Sequence, residues 1–453
     1  MRALVSGLAA VAVAGTAFAA AISTDAAPPV QTNQAFAFAN ANVIPMDRER
    51  VLRNYTVVVR NGRIVEVGPA TGVSVPSDAR RIDAGGKYLM PGLAEMHGHT
   101  PVPNGDPTSS FVANMMFLYV ANGVTTVRGM LGGDGQLELR DMINRGELIG
   151  PTLYLAGPSF NGRTVTSPEQ GARRVWEQKA EGWDLLKIHP QRFTRENYDA
   201  VALAAHQVGI RFGGHVPPDV GLIHAIQMGQ RTFDHLDGYL EYTGGIQGPI
   251  DQNRLAEVTR LTREAGAAVV PTMVLWEIGI IGLGDVDEMR SRPEMRYWPR
   301  QTVDSWAQNV LNRRSNPEFD VELARVHAEN RNRTLKALSD GGVTILMGTD
   351  SPQLFSVPGF SLHREMQAMI AAGMSPYEVL ASGTMNVGEY FQGQDTFGTI
   401  AVGRRADLIL TNSNPLDDIA NVADRAGVMV RGEWLPEEMI RQRLAGIAEE
   451  FGN

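Results

Sequence analysis

The chain has 453 residues, a formal net charge of −9 and no cysteine. This length allows one large domain and a smaller one, and a negative charge without a long basic run argues against nucleic acid or anionic membranes as partners. Without cysteine there is no disulfide, no thiolate metal site and no cysteine nucleophile. The composition therefore favours a small-molecule substrate, and any metal ion must be held by histidine, carboxylate or modified lysine.

The first residues combine one arginine, an apolar stretch and the small-residue pattern Ala17-Phe18-Ala19. This pattern predicts a signal peptide over residues 1–19, and the Ala-, Pro- and Thr-rich residues 20–34 predict a flexible leader. An uncleaved membrane anchor is the alternative, because the apolar stretch is near the shortest length that spans a bilayer. We expect a secreted, periplasmic protein with no stable membrane association after cleavage.

Short β-like patterns flank the long middle of the chain. Residues 35–89 alternate apolar and polar side chains around a hairpin signal, Asn61-Gly62. Residues 393–453 return to the same style, with Val430-Arg431-Gly432-Glu433 as a second turn, and then end in a helix. These patterns predict a small β-sandwich domain formed from both chain ends.

Residues 90–392 alternate brief apolar runs with helical stretches, most of which end at glycine. The candidate strands are 92–99, 124–129, 152–157, 184–189, 210–216, 231–235, 267–273 and 343–350. Eight βα units predict an α/β fold, a (β/α)₈ TIM-type barrel. A doubly wound open sheet is the alternative, but no G-x-G-x-x-G follows an early strand. Residues 275–322 are longer than an ordinary connection and carry Trp276, Trp298 and Trp306, so this segment is expected to form a lid over the site.

Histidines mark the ends of several candidate strands. His97 and His99 lie two apart in the first strand, so their imidazoles project from the same face. His215, His235 and Asp350 end the fifth, sixth and eighth strands. Because the C-terminal ends of barrel strands converge on one mouth, these side chains predict a metal site. Three histidines instead lie in helical stretches and are expected to be surface or packing residues: His206, His224 and His327.

Lys187 stands in the fourth candidate strand, where a barrel interior has no place for an unpaired ammonium group. Two interpretations follow from its position. The side chain extends to the rim or pairs with a carboxylate. Alternatively, burial deprotonates the amine, which reacts with CO₂ to give a carbamate able to bridge two metal ions.

The order H-x-H, Lys, His, His, Asp on strands one, four, five, six and eight resembles the amidohydrolase superfamily. Within it, the chain is most similar to the imidazolonepropionase-like group, which includes binuclear dipeptidases and prolidases. The motifs that carry the resemblance are PGLAEMHGHT, GVTTVRG, GHVPP, FDHLDG, GTDSP and FGTIAVGRRADLILTNSNPLDDI. They span essentially the whole mature chain. True imidazolonepropionases are mononuclear and lack the lysine, so Lys187 argues against that name.

The resemblance implies two divalent metal ions. It assigns His97, His99 and Asp350 to the first ion, His215 and His235 to the second, and a carboxylated Lys187 to the bridge between them. Zinc is expected from the histidine-rich set, although manganese, iron or cobalt take the same ligands. A water shared by the ions is expected to attack a substrate carbonyl, while Asp350 takes its proton and passes it to the leaving nitrogen.

The expected reaction is hydrolysis of amide C–N bonds in small substrates such as dipeptides or N-acyl amino acids. One alternative keeps the site and cleaves aryl esters, lactones or phosphotriesters; another is a periplasmic binding protein without catalysis. Arg128, Arg163 and Arg192 follow barrel strands and are candidates to hold a substrate carboxylate, with His189 and Tyr239 on the pocket wall. Gly129 stands where relatives often carry Asp, which leaves the role of Arg128 open. The exact substrate and any homo-oligomer are left open as well.

Overall fold

The computed structural model describes residues 34–103, 106–276 and 281–452. The predicted signal peptide and all but the last residue of the predicted leader lie outside these ranges. Within them, no helix is both long enough and apolar enough to cross a membrane.

The elements alternate in the order expected of an α/β chain. The strands are β1 Ala35–Val43, β2 Leu52–Arg60, β3 Arg63–Pro69, β4 Ala79–Asp83, β5 Tyr88–Pro91, β6 Leu93–Gly98, β7 Val124–Gly129, β8 Thr152–Leu155, β9 Leu185–Ile188, β10 Arg211–Gly214, β11 Thr232–Asp234, β12 Ala268–Val270, β13 Thr344–Ile345, β14 Leu408–Thr411, β15 Arg425–Val430 and β16 Glu433–Pro436. The helices are α1 Ser110–Ala121, α2 Gln136–Asn144, α3 Pro168–Glu181, α4 Arg195–Val208, α5 Leu222–Gln227, α6 Tyr239–Thr243, α7 Gln252–Glu264, α8 Val286–Ser291, α9 Arg300–Arg314, α10 Val321–Asp340, α11 Phe360–Ala371, α12 Pro376–Ser382, α13 Met385–Tyr390 and α14 Glu437–Glu450.

Strands from both chain ends form one sheet of eight strands. Its order is β16-β15-β14-β5-β1-β2-β3, with β4 paired to β1. The predicted hairpin turn at Asn61-Gly62 joins β2 to β3, and both residues adopt the positive φ that such a turn requires. Phe38, Val57, Leu408 and other buried side chains of these strands pack around one apolar core. The joining of the two ends into one sheet agrees with the pattern in the sequence.

The middle of the chain contains two parallel sheets. One has the order β6-β7-β8, and the other has the order β13-β12-β11-β10-β9. Each of the eight predicted strands is present, usually two to four residues shorter than predicted. The hydrogen-bonded ladder stops early because the last residues of each apolar run turn into the loops that carry the polar site.

Backbone hydrogen bonds join the two parallel sheets at both edges. At one junction Phe160 N donates to the carbonyl of Lys187 at 2.8 Å, and Phe160 forms a parallel bridge with Ile188. At the other junction Met96 N donates to the carbonyl of Met347 at 2.8 Å. Strands β6 to β13 are therefore held with their C-terminal ends on the same side.

Local sequence signals position the helices that follow the strands. Ser167 caps the first turn of α3 and Thr194 caps that of α4, each accepting a hydrogen bond from the third residue along. Gly182 and Gly209 end the same helices in the left-handed conformation, as predicted. The inner faces of the helices pack against the parallel strands in one continuous apolar core.

The segment expected to form a lid is mostly helical where it is described. It contains α8, a 3₁₀ turn at Pro293–Tyr297, and α9. The rings of Trp298 and Trp306 are stacked with their centroids 6.2 Å apart, and the ring centroids of Trp306 and Phe355 are 5.9 Å apart. Residues 277–280 lie outside the described ranges, so closure over the site stays a prediction.

Candidate active site

His97, His99 and Asp350 meet at the C-terminal ends of β6 and β13. His99 Nε2 lies 2.5 Å from Asp350 Oδ1, and His97 Nε2 lies 3.7 Å from the same oxygen. The nearest ligand-type atoms of all three residues lie within 4.8 Å of one another. Alternation along β6 brings both imidazoles to one face. This trio is compact enough to share one metal ion.

His235 and His215 extend this group into a row of imidazoles. The ring centroids of His97 and His235 are 4.4 Å apart, and those of His235 and His215 are 4.5 Å apart. His235 Nε2 also lies 3.7 Å from Asp350 Oδ2. The four predicted histidines and Asp350 therefore occupy one place, which we call the histidine cluster.

Lys187 is fully buried in β9 and contacts the histidine cluster directly. Its Nζ lies 3.0 Å from His97 Nε2, and no carboxylate among the described residues lies within 4.0 Å of it as an ion pair. Burial lowers the pKa of Lys187, while Asp234 and Asp350 act in the opposite direction. The interpretation in which Lys187 extends to the rim is therefore wrong, because the side chain ends inside the cluster.

Gly214 of β10 makes room for the lysine side chain. A Cβ at this position would lie 2.6 Å from the carbonyl of Ile188 and 2.9 Å from Lys187 Cδ, and Gly214 has a φ of +118°. Any larger residue would have to displace the backbone of β9. The sequence Gly213-Gly214-His215 thus lets β10 approach the lysine closely just before it delivers His215.

In three of the cluster histidines, Nδ1 lies within 2.8 Å of a neighbouring side-chain oxygen. The pairs are His97 with Asp234 at 2.7 Å, His235 with Thr272 at 2.8 Å, and His215 with Asp237 at 2.6 Å. Such contacts fix the orientation of each ring and leave Nε2 for the centre of the cluster. The sequence analysis missed all three partners. Asp234 and Asp237 flank His235 in Asp-His-Leu-Asp, which is a usable signal, whereas nothing in the sequence marks Thr272.

Arg128 binds Asp234 from behind His97. It is fully buried, and its guanidinium lies 3.1 Å from Asp234 Oδ2 and also donates to Thr232 Oγ1 and to the carbonyl of Met96. The expectation that Arg128 holds a substrate carboxylate is therefore corrected. The side chain of Arg128 points inward from β7, and the negative charge of Asp234 compensates the positive charge of its guanidinium.

Arg331 of α10 joins the ends of β11 and β12. Its side chain is buried and donates to the carbonyls of His235 at 2.7 Å and Pro271 at 2.9 Å. Its guanidinium carbon lies 4.7 Å from the ring centroid of Trp276. His235 and Thr272 both have positive φ, at 65° and 46°. Residues without glycine's freedom hold such a conformation only when surrounding contacts impose it. Arg331 supplies two of those contacts.

The remaining predicted substrate residues divide between the core and the loops. Tyr239 is fully buried and its hydroxyl bonds Thr262, so the expectation that it lines the pocket is corrected: it packs between β11 and α7. His189 stacks on His215 at 5.2 Å and stays half-buried beside the cluster. Arg163 and Arg192 are exposed on the loops after β8 and β9.

The three histidines of helical stretches lie away from the cluster or at its edge. His206 is exposed and bonds the carbonyl of Met228, and His224 pairs with Asp199 at 2.6 Å. His327 lies one turn before Arg331 with its ring 6.1 Å from that of Trp276. Burial, helped by Arg331, lowers its pKa to about 4. Their assignment to surface and packing roles therefore agrees with these contacts.

The protonation of the cluster suits metal binding. Burial lowers the pKa of both His97 and His235 well below the ordinary value, so their imidazoles are neutral. Burial alone would raise the pKa of Asp350, but His97, His99 and Lys187 outweigh it and hold that pKa below the ordinary range. Neutral imidazole and ionised carboxylate are the forms that bind a divalent cation.

The residues present fit a metal ion. His235 Nε2 is buried and has no hydrogen-bond partner among the described residues. A buried polar atom without a partner is costly, and a metal ion would supply one. The nitrogen and oxygen donors of the cluster suit zinc and other first-row divalent ions.

Comparison with known proteins identifies the family of this chain. The model of the amidohydrolase family matches residues 88–435. An imidazolonepropionase from Arthrobacter sp. (strain FB24) is 24% identical over 86% of this chain and 98% of its own length. Adenine deaminase 3 from Rhizobium meliloti (strain 1021) is 22% identical over 84% of this chain, which spans only 54% of the deaminase.

A solved structure shares the fold at low identity. It is a Xaa-Pro dipeptidase with methionine bound in its active site, and it is 22% identical with a TM-score of 0.65. The match covers 89% of this chain and all of the dipeptidase chain. The two chains therefore agree in fold over nearly their full lengths.

Proposed function

The chain belongs to the amidohydrolase family, and from that premise we propose that it hydrolyses the C–N bonds of small amides, such as dipeptides or N-acyl amino acids. The observation that carries the proposal is the histidine cluster with Lys187 at its centre. Family membership makes the chain an enzyme, which sets aside the binding-protein alternative. We propose further that β6 to β13 close into a (β/α)₈ barrel whose mouth holds the cluster.

The cluster would hold two divalent metal ions. His97, His99 and Asp350 would hold one ion and His215 and His235 the other, with a carboxylated Lys187 shared by both. Carboxylation joins the neutral amine to CO₂ and releases one proton, and the lowered pKa of Lys187 favours that amine. When bound, such ions lower the pKa of a coordinated water and polarise a substrate carbonyl.

Asp350 is the group that moves the proton. Its low pKa keeps the carboxylate ionised, so it can accept a proton from the attacking water and then donate it to the leaving nitrogen. His99 Nε2, 2.5 Å from Oδ1, fixes the direction of that carboxylate. The cycle balances, since the proton gained from water leaves with the amine.

Groups around the cluster would select the substrate. His189 stacks on His215 and would form one wall of the pocket. Arg163 and Arg192 are exposed on neighbouring loops and would reach a substrate carboxylate. The dipeptidase that shares this fold has methionine bound in its active site, and methionine carries a free carboxylate. This supports a substrate with a free carboxylate.

Metal analysis and a substrate panel test this function together. Purified protein should contain divalent metal, and a chelator should remove both metal and activity against dipeptides and N-acetyl amino acids. His97→Asn should lose metal, whereas His224→Asn, which changes a histidine outside the cluster, should not. Faster turnover of aryl esters, lactones or phosphotriesters than of every amide would overturn the substrate class, and full amide turnover without metal would overturn the mechanism.

A further inference from the structure

A second cavity lies outside the active site, between α11, the 3₁₀ turn at Ile419–Val422 and the 3₁₀ turn at Pro293–Tyr297. Its volume is about 640 Å³, and its lining includes no residue of the histidine cluster. Sites for small molecules have volumes of roughly 300–1,000 Å³. The cavity is therefore large enough for a ligand of its own.

Most of the lining is apolar. Phe360, Ala368 and Ala371 of α11 form one wall, and Ile419 and Val274 face it from other elements. Such a surface fits a hydrocarbon or aromatic group, whose burial removes apolar area from water.

The charged side chains of the lining are Arg364, Arg425 and Glu294. Arg364 pairs with Glu294 at 2.6 Å, so these two charges compensate each other. Arg425 has no ion pair within 4.0 Å among the described residues: Nη1 donates to the carbonyl of Ala423, and the buried Nε has no hydrogen-bond partner. Burial lowers the pKa of Arg425 to about 10, although Glu437 and Asp424 oppose the shift, so the group stays charged near neutrality.

His363 adds a second unsatisfied group to the same cavity. Its Nε2 is buried and has no hydrogen-bond partner among the described residues. Burial and the charge of Arg425 lower the pKa of His363 to about 3, against a hydrogen bond to the backbone of Asn122, so the ring is neutral. The guanidinium of Arg425 and the imidazole of His363 therefore line one cavity, in which the carboxylate of Glu294 is already paired with Arg364.

We propose that this cavity is a binding site for a small monocarboxylate with an apolar body. The carboxylate would accept from Arg425, and the apolar body would lie against Phe360 and Ile419. A guanidinium binds a carboxylate through charged hydrogen bonds, and Arg425 has no carboxylate partner within 4.0 Å among the described residues. A neutral ligand would form no charge-assisted hydrogen bond between two ions with Arg425, and a cationic ligand would be repelled. The inference does not depend on the proposed function of the histidine cluster.

Calorimetric titration with 3-phenylpropanoate tests the site, with the neutral 3-phenylpropanamide as the matched probe. The acid should bind saturably at one equivalent, and the amide at least about tenfold more weakly, because only the acid forms the charged hydrogen bonds. The titration should give the same result in Asp350→Asn and in the presence of a chelator. Loss of binding under either condition would assign the probe to the active site instead.

Two variants locate the probe. Arg425→Met removes the charge and should weaken the acid at least about tenfold, whereas Arg441→Met, an exposed arginine on α14, should not. Ala371→Trp fills the cavity from its exposed rim and should abolish binding without changing the charge, which keeps the test decisive if Arg425→Met does not fold. Absence of saturable binding, or unchanged binding in Ala371→Trp, would overturn the proposal.

Discussion

His97 Nδ1 lies 2.7 Å from Asp234 Oδ2, inside the protein and away from the open side of the histidine cluster. The same carboxylate lies 3.1 Å from Arg128, so one buried anion is shared by an imidazole and a guanidinium. A buried carboxylate is stable only with such partners. Asp234 thus fixes the ring of His97, while Arg128 compensates the charge that this requires.

Asp234→Asn should weaken metal binding by about 10–100-fold, the usual effect of removing a group that orients a ligand histidine. The amide keeps the size of the side chain but no longer matches Arg128 in charge. Competition with a chromogenic chelator measures the affinity directly. Asp199→Asn is the matched control, because it also removes a carboxylate from a histidine, His224. Equal affinities in both variants and in the wild type would show that Asp234 does not orient His97.

Asp350→Asn should leave the fold intact and lower turnover by a factor of about 10² or more, the typical contribution of general acid–base catalysis. The amide can still contact His99 but cannot carry the proton to the leaving nitrogen. Steady-state kinetics at matched metal content measures the loss, and circular dichroism checks the fold. Activity within about tenfold of wild type would reject Asp350 as the proton carrier.

Arg331→Met should lower kcat by roughly tenfold to 100-fold, since small displacements of a catalytic group have effects of that size. The variant removes both hydrogen bonds that hold the carbonyls of His235 and Pro271. Arg331→Lys should restore part of the loss, because one donor can still reach a carbonyl. Arg333→Met changes an exposed arginine on the same helix and is the control. A higher KM with unchanged kcat and unchanged metal affinity would indicate that Arg331 binds the substrate instead of holding His235.

The sequence was most informative where chemistry requires particular residues at strand ends. His97, His215 and Asp350 could be found because few side chain types bind metal and parallel strands end on one side. Arg128 and Tyr239 were misassigned because both follow or lie near a strand end, yet alternation and helix packing direct them inward. A position near the end of a strand does not by itself reveal that direction.

The supporting groups were harder to find because they act over long separations in the chain. Thr272 follows β12 and contacts the ring of His235, which follows β11. Arg331 donates to the carbonyl of His235 from α10, 96 residues away. No local pattern encodes such contacts. These contacts depend on how the helices pack against the strands, and the local sequence pattern does not specify that packing.

Acid should destabilise the metal-free protein between about pH 6.5 and pH 4. The upper limit is the ordinary pKa of histidine, which applies to the unfolded chain, and the lower limit is the pKa of His327 in the folded protein. Burial lowers the pKa of His327, and in this window the unfolded chain binds a proton that the folded chain does not. The free energy of unfolding therefore falls as the pH falls. His327→Gln should reduce the slope by about one proton in urea unfolding series. An unchanged slope would show that His327 titrates alike in both states.

Lys187 decides between a binuclear and a mononuclear site. Its amine is buried 3.0 Å from His97 Nε2, and its lowered pKa favours the form that reacts with CO₂. Two cations about 3.5–4 Å apart repel each other, and an anionic carbamate between them would offset that repulsion.

Lys187→Ala removes this charge and should lose at least one metal equivalent together with most activity. Bicarbonate should activate metal-reconstituted wild type but not this variant, and a small carboxylic acid should restore part of both metal and turnover by filling the vacated space. Lys179→Ala, an exposed lysine on α3, should behave as wild type. Retention of two metal ions and normal turnover in Lys187→Ala would show that the lysine is structural and that the site is not bridged by it.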